Sequence, residues 1–164
     1  MMNLPALGVA ALVPLVMGFI WYGPLFKNPW MKSSGVTEEM IKNSNMALIL
    51  GLTLVFSFLA AIFINTVVVH QMGVFSLFAN EPGFADAASE SRQFFDSIMN
   101  RVGDKHRSFG HGFFHGSIAG IFLAMPVVAT NALFERKNFT YIAIHFGYWT
   151  LTFALMGAIL AAWK

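Results

Sequence analysis

Charged residues fall in a few clusters along the chain, and the stretches between them are almost wholly apolar. The first stretch runs from Met1 to Phe26. A second lies between Lys42 and Glu81, with Ala47 to Val69 its most apolar part. A third extends from Phe109 to Phe134 and a fourth from Asn138 to Trp163. A hydrocarbon core about 30 Å thick needs roughly 20 apolar residues, each adding about 1.5 Å of helical rise. All four stretches are long enough, and inside lipid such a segment must satisfy its own backbone hydrogen bonds, as a helix does. The pattern predicts an all-α membrane protein, a single domain over residues 1–164. Its four transmembrane helices, at about 4–26, 46–70, 108–133 and 139–163, form an antiparallel bundle. The turn "ERKN" between the last two is short enough to make them antiparallel neighbours.

Two connections carry helical signals of their own. After the first span, Thr37 stands before Glu38 and Glu39, the arrangement of a capped short helix with acids in its first turn. In the long connection over 71–107, Phe94, Phe95, Ile98, Met99 and Val102 recur at helical spacing opposite Arg92, Asp96, Asn100 and Arg101. That is an amphipathic helix, suited to the membrane surface or to the protein's own helices, and packing on the protein is the preferred expectation.

Composition strengthens the membrane assignment. Only 11% of residues are charged, against roughly 25% in soluble domains, and 57% are hydrophobic. The first stretch lacks the basic start of a cleaved signal, because no Lys or Arg precedes Lys27. It runs into the interfacial aromatics of "FIWYGPLF" and reads as a retained helix. Without cysteine there are no disulfides, thiolate metal sites or cysteine nucleophiles. A net charge of +2 offers no reason to expect nucleic-acid binding. Basic residues flank the first span only on its far side, at Lys27 and Lys32, which puts the termini and residues 71–107 outside.

Polar groups at membrane depth are costly and often functional. His111 and His115 stand one turn apart at the start of the third span, level with Asn65 and His70 at the end of the second. Imidazoles at i and i+4 share a helix face, the geometry of a zinc or copper pair that a third ligand completes. No glutamate stands within the motif, so the third ligand comes from His70, His106 or a loop acid. The plainer alternative, hydrogen bonding to loop carbonyls and water at the interface, is preferred. A haem between His70 and His111 or His115 is a further option. His145 lies roughly 18 Å away in depth from His115 and cannot share an ion with it.

Gly112, Gly116 and Gly120 form a stripe on the third span, and helix four offers Ala143, Gly147, Ala154, Ala158 and Ala161. Small residues at every fourth position let backbones approach closely in lipid, so the stripe serves a contact between these helices or between subunits. At the opposite membrane face, Tyr22 falls at the depth of His145 and Tyr148, and the three could line a small polar cavity. Asn131 lies at or below that level. Glu135 and Arg136 lie where they could pair with Lys27 or Lys32.

The stretches "GFIWYGPLFKNPWMK", "GVTEEM" and "HGFFHGSIAGIFLAMPVVATNALFERKNFTYIAIHFGYWTLTFALMGAILAAW" carry a resemblance. They are similar to a small bacterial membrane-protein family known as domain of unknown function seventeen-sixty-one. The resemblance implies a four-helix protein of the bacterial inner membrane with no established activity. It also implies that 71–107 elaborates a connection shorter in many members.

Three functional expectations follow. The first is a non-enzymatic membrane protein without cofactor, embedded in the bilayer as a homo-oligomer or as a subunit of a larger membrane complex. The second is a metal or haem protein using His70, His111 and His115. The third is a solute channel or transporter built by an oligomer and lined by Tyr22, Asn65 and Asn131.

Overall fold

The computed structural model describes residues 3–164, so the first two positions of the stretch opening at Met1 lie outside the described residues. Among the described residues, four helices are long and apolar enough to cross a membrane: Leu4–Leu25, Met46–Val68, Phe109–Phe134 and Phe139–Ala162. The first comprises α1 (Leu4–Ile20) and a π turn over Trp21–Leu25. Short helices α2 (Lys27–Ser34) and α3 (Glu38–Lys42) lead to α4 (Met46–Val68). Outside the spans come α5 (Gln71–Phe78) and α6 (Glu90–Val102). The third span is α7 (Phe109–Ala119), a second π turn over Gly120–Ala124, and α8 (Met125–Phe134). The fourth is α9 (Phe139–Ala162). Sequence patterning does not foresee α2 or α5, which are too short to show a clear period.

Helix starts follow local chemistry. Asn3, Thr37, Asn45, Ser89, Ser108 and Asn138 each accept a hydrogen bond from the amide three residues on, satisfying a donor that has no partner within the helix. The second span ends two residues earlier than expected. Val69 leaves the helical region (φ −101°, ψ 86°), which puts His70 beyond the span as the residue preceding α5.

The end of α9 is held from across the fold. Arg107 donates through Nε to the Ala161 carbonyl at 3.0 Å, and a terminal nitrogen reaches the carbonyls of Leu160 and Trp163. These are last-turn carbonyls with no helical partner. Arg107→Met is expected to cost about 2 kcal/mol, the scale of a charged hydrogen bond, in unfolding assays in detergent. Arg107→Lys recovers only part of this, because an ammonium lacks the planar fork. Stability unchanged in both variants would show that water serves these carbonyls equally well.

The bundle core lies in the half that contains the start of α1, the end of α4, the start of α7 and the end of α9. There Leu7, Ala10, Ile64, Val68, Met156 and Leu160 pack with almost no exposure. The third and fourth spans touch along the glycine stripe. A Cβ on Gly112 would overlap the Gly157 carbonyl, one on Gly116 the Phe153 carbonyl, and one on Gly120 the backbone of Thr150. Of the helix-four positions expected to face this stripe, Ala154 and Ala158 are buried, and Ala154 lies against Gly116. Gly147 instead receives the Trp21 ring of helix one, and Ala143 is exposed. Ala161, also expected, lies against Gly112, and the contact is centred further along on Gly157, a register that the period of either helix alone does not specify.

The amphipathic helix α6 packs against α5. Phe75, Phe78, Phe84 and Phe95 form an aromatic cluster with ring centroids 5.2–6.3 Å apart, and Arg92 pairs with Asp96 at 3.0 Å. Glu135 does not pair with Lys27, which meets Glu38 at 2.8 Å and holds that carboxyl below its usual range. The Lys27–Glu38 pair is exposed, and such pairs contribute little.

Candidate metal centre

Three histidines converge where α4 ends and α7 begins. Their ring nitrogens lie so that one from each of His70, His111 and His115 falls within 4.8 Å of the others. The Nε2 atoms of His70 and His111 are 2.8 Å apart, close enough to share one proton. Ring centroids are separated by 5.0 Å for His70–His111, 4.9 Å for His70–His115 and 4.4 Å for His111–His115.

Each ring has a structural reason for its place. His111 and His115 occupy the first two turns of α7, whose start is fixed by Ser108 and whose glycine face is locked on α9. His70 follows the break at Val69, which turns the chain out of α4 above the same end of α7. The next residue, Gln71, is buried and donates through Nε2 to the carbonyls of Val102 (2.9 Å) and Lys105 (2.8 Å). This pins the loop after α6 over the cluster. His106 stands in that loop with a left-handed backbone (φ 62°) and stacks on His111 at 4.6 Å. A non-glycine residue in that conformation costs free energy that the surrounding contacts must offset.

Electrostatics favours a neutral ring at His70. Desolvation, then the proximity of His115 and His106, lowers the His70 pKa below the ordinary imidazole value. Neutral imidazole is the form that binds a metal. No carboxylate belongs to the cluster and the chain has no thiol, so the donor set is purely imidazole. Such donors suit Zn²⁺, Cu²⁺ or Ni²⁺ and offer nothing to Ca²⁺ or Mg²⁺. A tetrahedral zinc site with bonds of about 2.0–2.1 Å needs nitrogens roughly 3.3 Å apart, within reach of small ring rotations from the observed spread.

The other candidate residues are distributed differently. Asn65 is buried, at 3% exposure, one turn below the break, and its Nδ2 has no partner. It is not part of the histidine cluster. At the opposite face Tyr22, His145 and Tyr148 do meet. The Tyr22 hydroxyl and His145 Nδ1 are 2.8 Å apart, and Tyr148 donates to the Pro14 carbonyl at 2.8 Å. Asn131 is exposed on α8 and takes no part in that group. Tyr22, Asn65 and Asn131 therefore do not share one site among the described residues of a single chain. Gln71 and Ser57, a wall residue of the Tyr22 cavity, escaped sequence reasoning, since a lone amide or hydroxyl carries no periodic signal.

Four apolar helices joined by polar turns, with histidines gathered at one end, define a multi-pass membrane protein. The chain belongs to the family described as "Protein of unknown function (DUF1761)", whose model matches residues 5–161. No curated protein and no solved structure matches it.

Proposed function

We propose that this protein is a non-enzymatic membrane protein that holds one divalent transition-metal ion at the membrane surface through His70, His111 and His115. The observation that carries the reading is the convergence of three ring nitrogens within 4.8 Å from two separate spans. Interfacial histidines that merely met water would have no reason to crowd one another. An ion in their midst gives the crowding a cause and leaves a coordination position open to His106, water or cargo. A bare ion fits better than haem, because His70 and His111 nitrogens 2.8 Å apart leave no room for a porphyrin between them.

Self-association loses its main support here, since Gly112, Gly116 and Gly120 lie against helix four of the same chain. The finer location we propose is a bacterial inner membrane with the histidines and residues 71–107 on the periplasmic side. It is supported by Lys27 and Lys32 following the first span.

The test is a titration of chelator-stripped, purified protein with Zn²⁺ and Cu²⁺, read by metal analysis after desalting. One ion per chain is expected, with copper held more tightly than zinc. Retention of less than a tenth of an ion per chain for both metals would overturn the proposal.

A further inference from the structure

A second site lies in the other half of the bundle. Between the exit of helix one, α4 and α9 there is a cavity of about 480 Å³. Its walls include Tyr22, Trp30, Phe56, Ser57, Tyr148 and Trp149. That volume is in the range of small-molecule sites, and aromatic walls with a few polar groups are typical of them. A kink at the exit of helix one borders it. Gly23 leaves helical geometry (φ −99°, ψ −106°), so the chain kinks just after Trp21 and Tyr22, whose rings reach α9. Trp21 then donates to the Ile144 carbonyl at 3.0 Å, while Tyr22 meets His145.

The mouth opens to lipid. Phe56 lines the cavity and is also 63% exposed, on a span that stands in the hydrocarbon. Two polar groups of the wall are without a partner, the buried Nε2 of His145 and the hydroxyl of Ser57. Ser57 is 5% exposed, and its hydroxyl forms no hydrogen bond with another described residue. Its neighbour Thr53 satisfies its own hydroxyl by donating to the Ile49 carbonyl at 2.7 Å, and Tyr148 donates to Pro14. A hydroxyl proton without an acceptor at membrane depth is costly.

We propose that this cavity binds a flat lipophile from the bilayer, its ring packed among Tyr22, Trp30, Tyr148 and Trp149 and a ring carbonyl oxygen accepting from Ser57. The aromatic walls select the ring through offset and edge contacts. The unpaired hydroxyl selects the oxygen, because a hydrocarbon of the same shape leaves it unsatisfied. This site is independent of the histidine centre, and neither requires the other.

The experiment uses the full chain in lipid nanodiscs, with uptake corrected for partition into empty discs. The probes are menadione, a fused-ring diketone, and methylnaphthalene, which lacks the oxygens. The chain has no cysteine for the quinone to alkylate. Menadione is expected to bind saturably at one per chain, about tenfold tighter than methylnaphthalene. Ser57→Ala should abolish that preference and leave methylnaphthalene binding unchanged. Ser57→Phe, which fills the cavity, should remove both. If Ser57→Phe fails to fold, Phe56→Trp at the mouth takes its place and should weaken both ligands. The proposal is overturned by menadione uptake equal to that of empty discs, by equal affinities for the two probes, or by a preference that survives Ser57→Ala. Undiminished binding in a folded cavity-filling variant overturns it as well.

Discussion

His111→Ala is expected to lower Zn²⁺ affinity by at least about a hundredfold. Loss of an outer-shell partner of a metal ligand already costs up to about that factor, and removing a ligand itself costs no less. His111 is the ring to test first, because it is central. Its Nε2 is 2.8 Å from that of His70, and its ring contacts those of both His115 and His106. The change is mild for the fold, since alanine is the best helix former and the ring is not part of the buried core. Competition titration against a chelator of known affinity measures the loss. Stability should report the same event. Zinc at a hundred times its dissociation constant adds about 2.7 kcal/mol to the wild type, and that increment should vanish in the His111→Ala/His115→Ala double variant. Unchanged stoichiometry and affinity in the double variant would move the ion elsewhere.

Gly116→Ala is expected to destabilise the bundle by about 3 kcal/mol, the upper end of the cost of overpacking. The added methyl meets the Phe153 carbonyl and the Ala154 Cα, which are backbone atoms that cannot rotate aside. The two helices would have to separate along their whole seam. Gly110 is the matched control. It lies nearly two turns earlier in α7 with open space where a Cβ would stand, so Gly110→Ala should be neutral or stabilising by up to about 1 kcal/mol. Unfolding in mixed micelles measures both. Gly116→Ala should also weaken zinc binding, because the seam sets how α7 presents His111 and His115 beside His70. Equal stability of the two variants would mean that the backbones do not approach this closely.

Much of the fold was legible because its causes are local. Gaps between charges mark the four spans, and side chains such as Asn45, Ser108 and Asn138 mark their starts. The amphipathic period of residues 94–102 marks α6. The pairing of His111 with His115 follows from helical geometry alone. The depth estimate also brought His70 to their level and Tyr22 to that of His145 and Tyr148. It could not say which way any of these rings faces.

That limit has a physical origin. The spans are apolar all round, so hydrophobic periodicity does not distinguish the face turned to lipid from the face turned inward. Helix rotation and register are decided instead by where backbones can approach, and that depends on pairs of helices. Hence Gly112 meets Gly157, whereas Gly147 receives Trp21, and Asn131 faces outward. The break at Val69, the Gln71 tether and the kink just after Tyr22, whose hydroxyl meets His145, are likewise local deviations stabilised by distant partners. By itself the sequence determined that this is a four-span membrane protein with histidines near one surface and a glycine seam. Only the tertiary structure decided that three of those histidines form one cluster and that Ser57 borders an aromatic cavity, because both depend on contacts between spans far apart in the chain.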